Sequence, residues 1–442
     1  MRRRDACAAL AAPLLGGCSV PGPAPAASRA EFVHVPWSRH ASLYEINVRQ
    51  FSAAGDFAGV ETQLPRLAAL GVGILWFMPI QPIGISHRKG RLGSYYSIRD
   101  YLAVNPDFGS LADFKRVVRR AHELGMHVIL DWVANHTAWD HPWVTQHPDW
   151  YLKDARGGIS GYVFHPDNGG PVEHWSDVVG LDYRRSELWP AMIGAMQWWL
   201  DEAGIDGFRC DAAHLVPTPF WEQARRRLER RRPLFMLAEA DQPELHAHAF
   251  DMSYDWDLQR RLVDIAQGRA DAATLRAWWA RTRTLYPPDA YRMNFTTNHD
   301  QNSWNGSDAE LYRSLPAFKA MAVLAALLPG MALVYDGQEA FLDRRLAFFD
   351  RDPIAWKRYE LAGFYTRLLQ LRRHHPALGN GQYGGGLDIA ETDNDAVFAF
   401  TRTRGPRSVA VAVNLSPQPQ GYAAAGGTRR ALAPWASTID AI

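Results

Sequence analysis

A repeated alternation of amphipathic helix, glycine and short apolar strand constrains the fold more than any other feature of this chain. Helical patterns at residues 64–70, 110–124, 186–203 and 315–328 each lead through a glycine into a short apolar run. Apolar positions at helical spacing predict one buried face, and the apolar runs predict buried strands. Parallel strands need crossover connections, so this order predicts a parallel α/β sheet.

Eight candidate strands are spread along the chain, enough for a closed barrel. They are residues 42–48, 72–78, 127–131, 205–210, 234–238, 250–254, 293–297 and 331–335. Eight such units fit a (β/α)8 TIM barrel with insertions better than an open doubly wound sheet. No GxGxxG motif follows the first strand, which further disfavours a dinucleotide-binding fold.

Two segments depart from the helix–strand alternation. Residues 137–180 are rich in Trp, His, Pro, Gly and Asp and have no long helical periodicity, which predicts a short subdomain inserted after strand 3. Residues 378–442 contain β-prone runs joined by a Gly-Pro turn, which predicts a C-terminal antiparallel β domain. The barrel itself is then expected to comprise residues 41–136 and 181–377.

The first residues are typical of a targeting signal. Three arginines precede a short apolar stretch that ends in Leu-Gly-Gly-Cys18, and the stretch is briefer than the roughly 20 residues of a membrane span. Residues 1–18 resemble a bacterial lipoprotein signal with a lipobox, so Cys18 is the predicted lipidation site and 19–40 a tether. An ordinary secretory signal is the alternative. Both interpretations predict export to the periplasm or cell envelope, and the lipobox interpretation adds membrane contact, only through a lipid anchor at Cys18.

Charge and cysteine content exclude other classes of protein. Lys and Arg total 48 against 47 Asp and Glu, so the chain lacks the basic excess of a nucleic-acid binder. The three cysteines, Cys7, Cys18 and Cys210, are too few for a disulfide scaffold. No CxxC or Cys/His cluster is present, which disfavours a thiolate zinc site.

Polar side chains follow several predicted strands at their carboxyl ends, where barrel enzymes carry their active sites. These residues are Asp131, Asn135, His136, Arg209, Asp211, Glu239, His299 and Asp300. Any one of them could be a helix cap, a surface charge or a packing residue. Their joint placement at four strand ends predicts one shared site.

The spacing of these groups suggests their chemistry. Arg209 and Asp211 are two residues apart on one strand, so they share a face, and the guanidinium should favour the ionised carboxylate that a nucleophile needs. Glu239 should meet like charges that disfavour its ionisation, as a general acid requires. Retaining glycosidases hold two such carboxyl groups about 5–5.5 Å apart.

Several short motifs in order resemble those of the α-amylase family, glycoside hydrolase family 13. They are Asp131-Trp-Val-Ala-Asn135-His136, Gly207-Phe-Arg209-Cys-Asp211, Glu239 and Phe295-Thr-Thr-Asn-His299-Asp300, with Leu43-Tyr-Glu45, Trp76–Pro82 and Tyr335–Glu339 in support. The resemblance covers residue 41 to the end. It implies a catalytic barrel, an inserted B subdomain and a C-terminal β-sandwich.

The resemblance also implies a role for each matching residue. Asp211 matches the nucleophile, Glu239 the general acid/base, Asp300 the third carboxylate, Arg209 the arginine beside the nucleophile, His136 and His299 the sugar-holding histidines, Tyr96 the aromatic platform and Asp131 a structural aspartate. His214 and Leu215 depart from the Lys-His pair of many members.

These roles imply an exported retaining α-glucan hydrolase, expected to be endo-acting on α-1,4 bonds of starch-like glucans or maltooligosaccharides. A cyclomaltodextrinase, an α-1,6-glucosidase or a transglycosylase would use the same chemistry, and a non-catalytic glycan-binding lipoprotein is the alternative from another class. No cofactor is predicted to be required. Calcium is weakly indicated, since Asn135 matches a typical calcium-site residue of the family. No carboxylate ligands can be assigned in the short insertion.

Overall fold

A computed structural model describes residues 33–166, 170–357, 359–424 and 427–442. The predicted signal, Cys18 and most of the predicted tether lie outside these residues. Within the described residues, no helix is both long enough and apolar enough to cross a membrane.

Seventeen strands are described. In chain order they are β1 Leu43–Ile46, β2 Ile74–Phe77, β3 His127–Val133, β4 His136–Ala138, β5 Gly161–Phe164, β6 Glu173–Gly180, β7 Gly207–Asp211, β8 Phe235–Ala238, β9 Met252–Tyr254, β10 Tyr291–Asn294, β11 Met331–Tyr335, β12 Gly386–Ala390, β13 Val397–Arg404, β14 Arg407–Asn414, β15 Gln420–Tyr422, β16 Arg430–Leu432 and β17 Ser437–Ala441. Eight of them form a closed barrel in the order β1-β11-β10-β9-β8-β7-β3-β2. Neighbouring barrel strands are parallel, so the predicted TIM barrel is confirmed.

Twelve α-helices are described. They are α1 Val48–Phe51, α2 Phe57–Glu61, α3 Leu64–Leu70, α4 Leu111–Glu123, α5 Pro142–Gln146, α6 Leu188–Glu202, α7 Thr218–Leu228, α8 Trp256–Ala266, α9 Ala272–Leu285, α10 Asp308–Tyr312, α11 Leu315–Leu327 and α12 Ala362–His374. The helix α4 begins at a capping box, in which Ser110 and Asp113 satisfy each other's backbone N–H groups. Its buried face contains Phe114, Val117 and Val118, as the apolar spacing predicts.

The barrel interior changes from apolar to polar along its axis. Leu43, Ile74 and Ile129 belong to a buried apolar cluster inside the barrel. Side chains two residues apart on a strand share a face, so Glu45 and Asp131 follow on the same inner face. Because all barrel strands run in one direction, their polar carboxyl ends lie together at one end of the barrel, next to this apolar cluster.

The insertion after β3 forms an antiparallel sheet in the order β4-β6-β5, in which His136 pairs with Gly180. After the barrel, β12, β13, β14 and β17 form a four-stranded antiparallel sheet, and β15 pairs with β16. The predicted C-terminal antiparallel β structure is therefore confirmed. The insertion places β6 beside the carboxyl ends of the barrel strands.

Candidate active site

Arg209 lies at the centre of the carboxyl-end site and has no exposed surface. Its Nη1 donates to Asp131 Oδ1 at 2.8 Å and to Asp211 Oδ1 at 2.9 Å. Its Nη2 lies 3.0 Å from Glu239 Oε2. Strands β3, β7 and β8 thus bring three carboxyl groups around one guanidinium.

The protonation of Asp211 differs from the sequence-based expectation. Burial raises the pKa of Asp211 well above its usual range, and repulsion from Glu239 adds to this effect, although Arg209 acts in the opposite sense. Burial likewise raises the pKa of Asp131 against the pull of Arg209. Arg209 acts in the predicted direction, but burial and repulsion from Glu239 outweigh it, so Asp211 is not as readily ionised in the free site as the sequence-based expectation requires. Asp211 and Asp131 therefore both hold a proton to a higher pH than a free aspartic acid does.

Glu239 is held beside Asp211 by the backbone after β7. Its Oε2 accepts a hydrogen bond from Ala212 N at 2.8 Å, and its own N donates to Cys210 O at 2.9 Å. Ala212 has a φ of 42°, in the left-handed region that costs a non-glycine residue free energy. This turn brings an amide N–H to the Glu239 carboxylate.

A second charged group surrounds His299. Its Nδ1 lies 2.5 Å from Glu45 Oε1, and its Nε2 lies 3.2 Å from Asp300 Oδ2. Burial opposes the charged form, yet Asp300 and Glu45 raise the pKa of His299 well above its usual range. Burial also opposes ionisation of Asp300, but His299 holds the pKa of that carboxyl below its usual range. The pair is therefore an imidazolium beside a carboxylate.

The two remaining predicted sugar-binding residues lie at the same opening. Tyr96 Oη lies 2.8 Å from His299 Nε2 and 3.2 Å from Asp131 Oδ2, and its ring stacks on that of His299. Burial lowers the pKa of His136 to about 4, so its imidazole is neutral near pH 7. A neutral imidazole can both donate and accept hydrogen bonds, which suits sugar hydroxyls.

These side chains open onto one cavity of about 610 Å³. Its lining includes Tyr96, His136, Asp211, Glu239, His299, Asp300 and the aromatic residues Trp175, Trp304, Phe348 and Phe349. The volume is within the roughly 300–1,000 Å³ of small-molecule sites. A larger cleft of about 740 Å³ lies between α11, α12 and β17, but no carboxyl group lines it, so the chemistry belongs to the 610 Å³ cavity.

Three residues at the site had no predicted role. Glu45 is an acid within an apolar strand, and that unusual placement was an available signal. Lys89 and Asp177 line the cavity from segments outside the barrel strands and form an ion pair of 2.8 Å. Only the fold brings them together, so their separate positions in the sequence gave no signal.

Two places in the described structure carry groups that can act as metal ligands. Around Asn135, the side-chain amide nitrogen meets His136 Nδ1 at 3.2 Å and the backbone carbonyl accepts from Leu181 N at 2.9 Å, so both of these groups have partners within the protein. His122, His127 and Asp206 place ligand atoms within 4.8 Å of one another at the opposite end of the barrel. Arg232 Nη2 already lies 2.6 Å from the Asp206 carboxylate, so this group is a salt-bridge centre.

A closed parallel barrel with carboxyl groups at its carboxyl mouth defines a barrel enzyme. The particular family follows from the comparison with known proteins. The family model described as "Alpha amylase, catalytic domain" matches residues 38–157 and 173–372, and the chain belongs to the α-amylase family of enzymes acting on glucans.

Similar proteins include both transferases and amylases. The chain is 31% identical to an alpha-1,4-glucan:maltose-1-phosphate maltosyltransferase of Pseudomonas aeruginosa, over 87% of this chain and 60% of that protein. It is 27% identical to alpha-amylase MalA of Haloarcula japonica, over 91% of this chain and 59% of that protein. The chain thus spans about 60% of the length of these curated relatives.

Solved structures match over nearly their whole length. An alpha-amylase from Lactobacillus plantarum superposes with a TM-score of 0.81 at 30% identity, covering 92% of this chain and 99% of that one. A noncanonic maltogenic alpha-amylase, AmyB from Thermotoga neapolitana, gives 0.79 at 29% identity, covering 91% and 96%.

Proposed function

We propose that this protein is a retaining glycoside hydrolase that cleaves α-glucosidic bonds in starch-like α-glucans or maltooligosaccharides. The observation that carries the proposal is the joint opening of Asp211 and Glu239 onto one cavity while both contact Arg209. Two carboxyl groups in close electrostatic contact are the parts that a retaining mechanism uses.

In the first step, Glu239 protonates the glycosidic oxygen while Asp211 attacks the anomeric carbon, and a covalent glycosyl-enzyme forms. Water activated by Glu239 then hydrolyses the intermediate with net retention. When Glu239 carries the proton, its repulsion of Asp211 disappears and Arg209 can favour the ionised Asp211. Protonation of Glu239 therefore favours the ionised form of Asp211, which is the form that can act as the nucleophile.

Asp300, His299 and Tyr96 complete the proposed site. The Asp300 carboxylate is available to accept hydrogen bonds from sugar hydroxyls, and it can stabilise positive charge that develops on the sugar ring. The Tyr96 ring offers a face on which a sugar can stack. His299 connects the two, since its Nε2 approaches both side chains.

Transfer to another sugar is the second candidate, and the maltosyltransferase relatives are the observation that favours it. Coverage of 99% of the Lactobacillus plantarum amylase supports hydrolysis. Incubation with maltoheptaose alone, and with maltose 1-phosphate added, separates the two by timed chromatography. We expect shorter maltooligosaccharides in both mixtures. Chain extension that depends on maltose 1-phosphate, without hydrolysis, would contradict the hydrolase proposal.

Bond preference needs a wider set of substrates. Amylose, cyclodextrin, pullulan and isomaltose separate α-1,4 hydrolysis from cyclomaltodextrinase and α-1,6-glucosidase activity. We expect cleavage of amylose. Cleavage of isomaltose alone would refute the α-1,4 assignment, and maltooligosaccharide binding without any turnover would favour a non-catalytic lipoprotein.

We also propose export with a lipid anchor at Cys18, on the basis of the lipobox-like sequence before it. Labelled palmitate should be incorporated into the wild-type protein in a bacterial host and lost in Cys18→Ala. Cys210 is buried and unpaired in the described structure, so Cys210→Ala is the matched control and should keep the label. Equal labelling of wild type and Cys18→Ala would contradict the anchor.

No metal is needed in the proposed chemistry. Removal of a bound ion lowers stability by mass action, so EDTA tests this directly. We expect a change in Tm below about 2 °C, since a loss of 1 kcal/mol shifts a larger domain by about 2–4 °C. A larger fall that added calcium reverses would show a structural ion.

A further inference from the structure

Residues 85–93, here called the strap, pass beside the site cavity, and Lys89 is the strap residue that lines it. At one end, Ile85 N donates to Asp140 Oδ2 at 3.0 Å, and Lys89 Nζ lies 2.8 Å from Asp177 Oδ1. At the other end, Leu92 N donates to Phe349 O at 3.0 Å. The strap therefore connects the inserted sheet with the segment that follows β11.

The strap is closely packed at the β11 side. Arg49 Nη1 donates to Gly93 O and to Phe348 O, each at 3.1 Å. Gly90 has a φ of 62°, and a Cβ added there would lie 2.4 Å from Phe349 Cβ. Only glycine permits so close an approach. The strap is thus a fixed wall rather than an open edge.

The position of the strap around the barrel identifies the end of the cavity that it closes. It follows β2, and its partners follow β3 and β11, which lie on either side of β1 and β2 in the barrel. Asp211 and Glu239 end β7 and follow β8, on the other half. Glu239 protonates the leaving-group oxygen in the proposed mechanism, so the leaving group lies on its side. The strap, which leads directly into Tyr96, then stands at the opposite, glycone end.

Lys89 is the strap residue with chemistry to offer a sugar. It lines the cavity, its side chain is 36% exposed, and its ammonium has three N–H donors. Asp177 accepts from the ammonium and fixes its position. The remaining donors can meet the hydroxyl groups of a terminal sugar.

We propose that the strap and Lys89 form a stop for the non-reducing end, so that the protein removes short units from chain ends. This inference rests on the proposed function. It adds which end of the glucan chain enters the site and how many sugar units are removed at a time. It departs from the sequence-based expectation of endo action, which used family resemblance without knowledge of the strap.

The experiment compares two forms of maltoheptaose labelled at the reducing end, one with a free non-reducing end and one blocked there by a 4,6-O-ethylidene group. We expect the wild type to cleave the blocked form at least about tenfold more slowly, the smallest discrimination that a shaped site gives for one small added group. The free form should yield one dominant first product shortened by one short unit. Equal rates with scattered products would overturn the proposal.

Two variants in the strap sharpen the test. Lys89→Ala should bring the ratio of blocked to free cleavage rates at least severalfold closer to one. Arg91→Ala is the matched control, because Arg91 lies in the same strap but is 72% exposed and pairs with Asp350 at 3.3 Å away from the cavity lining. Its ratio should equal that of the wild type. A Lys89→Ala ratio unchanged from wild type would overturn the role of Lys89.

The outcomes separate this inference from the function on which it rests. Cleavage of both forms at one rate overturns the strap proposal and leaves the hydrolase proposal standing. Cleavage of neither form overturns both. Cleavage of the free form with strong protection by the block supports both.

Discussion

The two ends of the barrel each bury an arginine among carboxyl groups, yet the two groups are built differently. At the amino end, Arg225 Nη1 lies 2.6 Å from Asp251 Oδ2, and His34 Nδ1 lies 2.8 Å from Asp251 Oδ1. Met236 N also donates to Asp251 at 2.8 Å. At the carboxyl end, the single guanidinium of Arg209 contacts three carboxyl groups, those of Asp131, Asp211 and Glu239.

The balance between burial and the neighbouring charges decides the direction in which the pKa of each carboxyl group moves. Burial alone would raise the pKa of Asp251, but Arg225 and His34 together hold it below its usual range. The pKa of Asp211 is raised instead, because burial and Glu239 outweigh a shared Arg209. Similar residue types thus give a satisfied structural pair at one end and a proton-retaining site at the other. Such divergence of environments is typical of catalytic groups.

The largest expected effect is on catalysis at the carboxyl end. Asp211→Asn removes the nucleophile and Glu239→Gln removes the acid, so each should lower kcat on maltoheptaose by at least about 10³-fold. Thermal unfolding should show no large loss of stability, because both side chains face the cavity and the substituted amides have nearly the same shape. Near-normal turnover by either variant would refute the role of that residue.

The opposite outcome is expected at the amino end. Asp251→Asn removes the buried carboxylate that Arg225 Nη1, His34 Nδ1 and Met236 N contact, and should lower the free energy of unfolding by about 3–5 kcal/mol in urea. Activity per folded molecule should stay normal. Asp440→Asn is the control, since Asp440 forms only an exposed pair with Arg430 at 3.5 Å and should change little. A stable but inactive Asp251→Asn protein would contradict a purely structural role.

A substitution of Glu45 tests whether catalysis at the carboxyl end depends on residues that hold the reacting groups in position. Glu45→Gln should lower kcat/KM about tenfold, a modest cost for loosening the position of His299 and Asp300. Glu45 is one of the carboxylates that raise the pKa of His299, so its loss should lower that pKa. The alkaline limb of the pH profile of kcat/KM should then move to lower pH. Glu123→Gln, on the exposed face of α4, should change neither. An unshifted profile would show that Glu45 acts only in packing.

The barrel and most of the candidate site were predictable because each depends on local pattern. Strand ends follow from the glycines and apolar runs, and the residues at those ends converge in any closed parallel barrel. The protonation of Asp211 was not predictable, because it depends on how many carboxyl groups three separate strands bring to Arg209. The strap was missed for a similar reason. Lys89 gains meaning only from Asp177, which is distant in sequence and comes near through the inserted sheet.

The smallest expected effect is a contrast in how pH changes stability at the two ends. The pKa of Asp211 is raised on folding, so its contribution favours folding at low pH and is lost as pH rises above its unfolded value of 3.8. Asp251 has a lowered pKa, so its contribution is full above 3.8 and is lost only on acidification below that value. Urea unfolding between about pH 4 and pH 7 covers this window. The stability of Asp211→Asn relative to wild type should rise across it, while the deficit of Asp251→Asn stays flat. Parallel curves for the two variants would show that Arg209 satisfies its carboxyl groups as fully as Arg225 does.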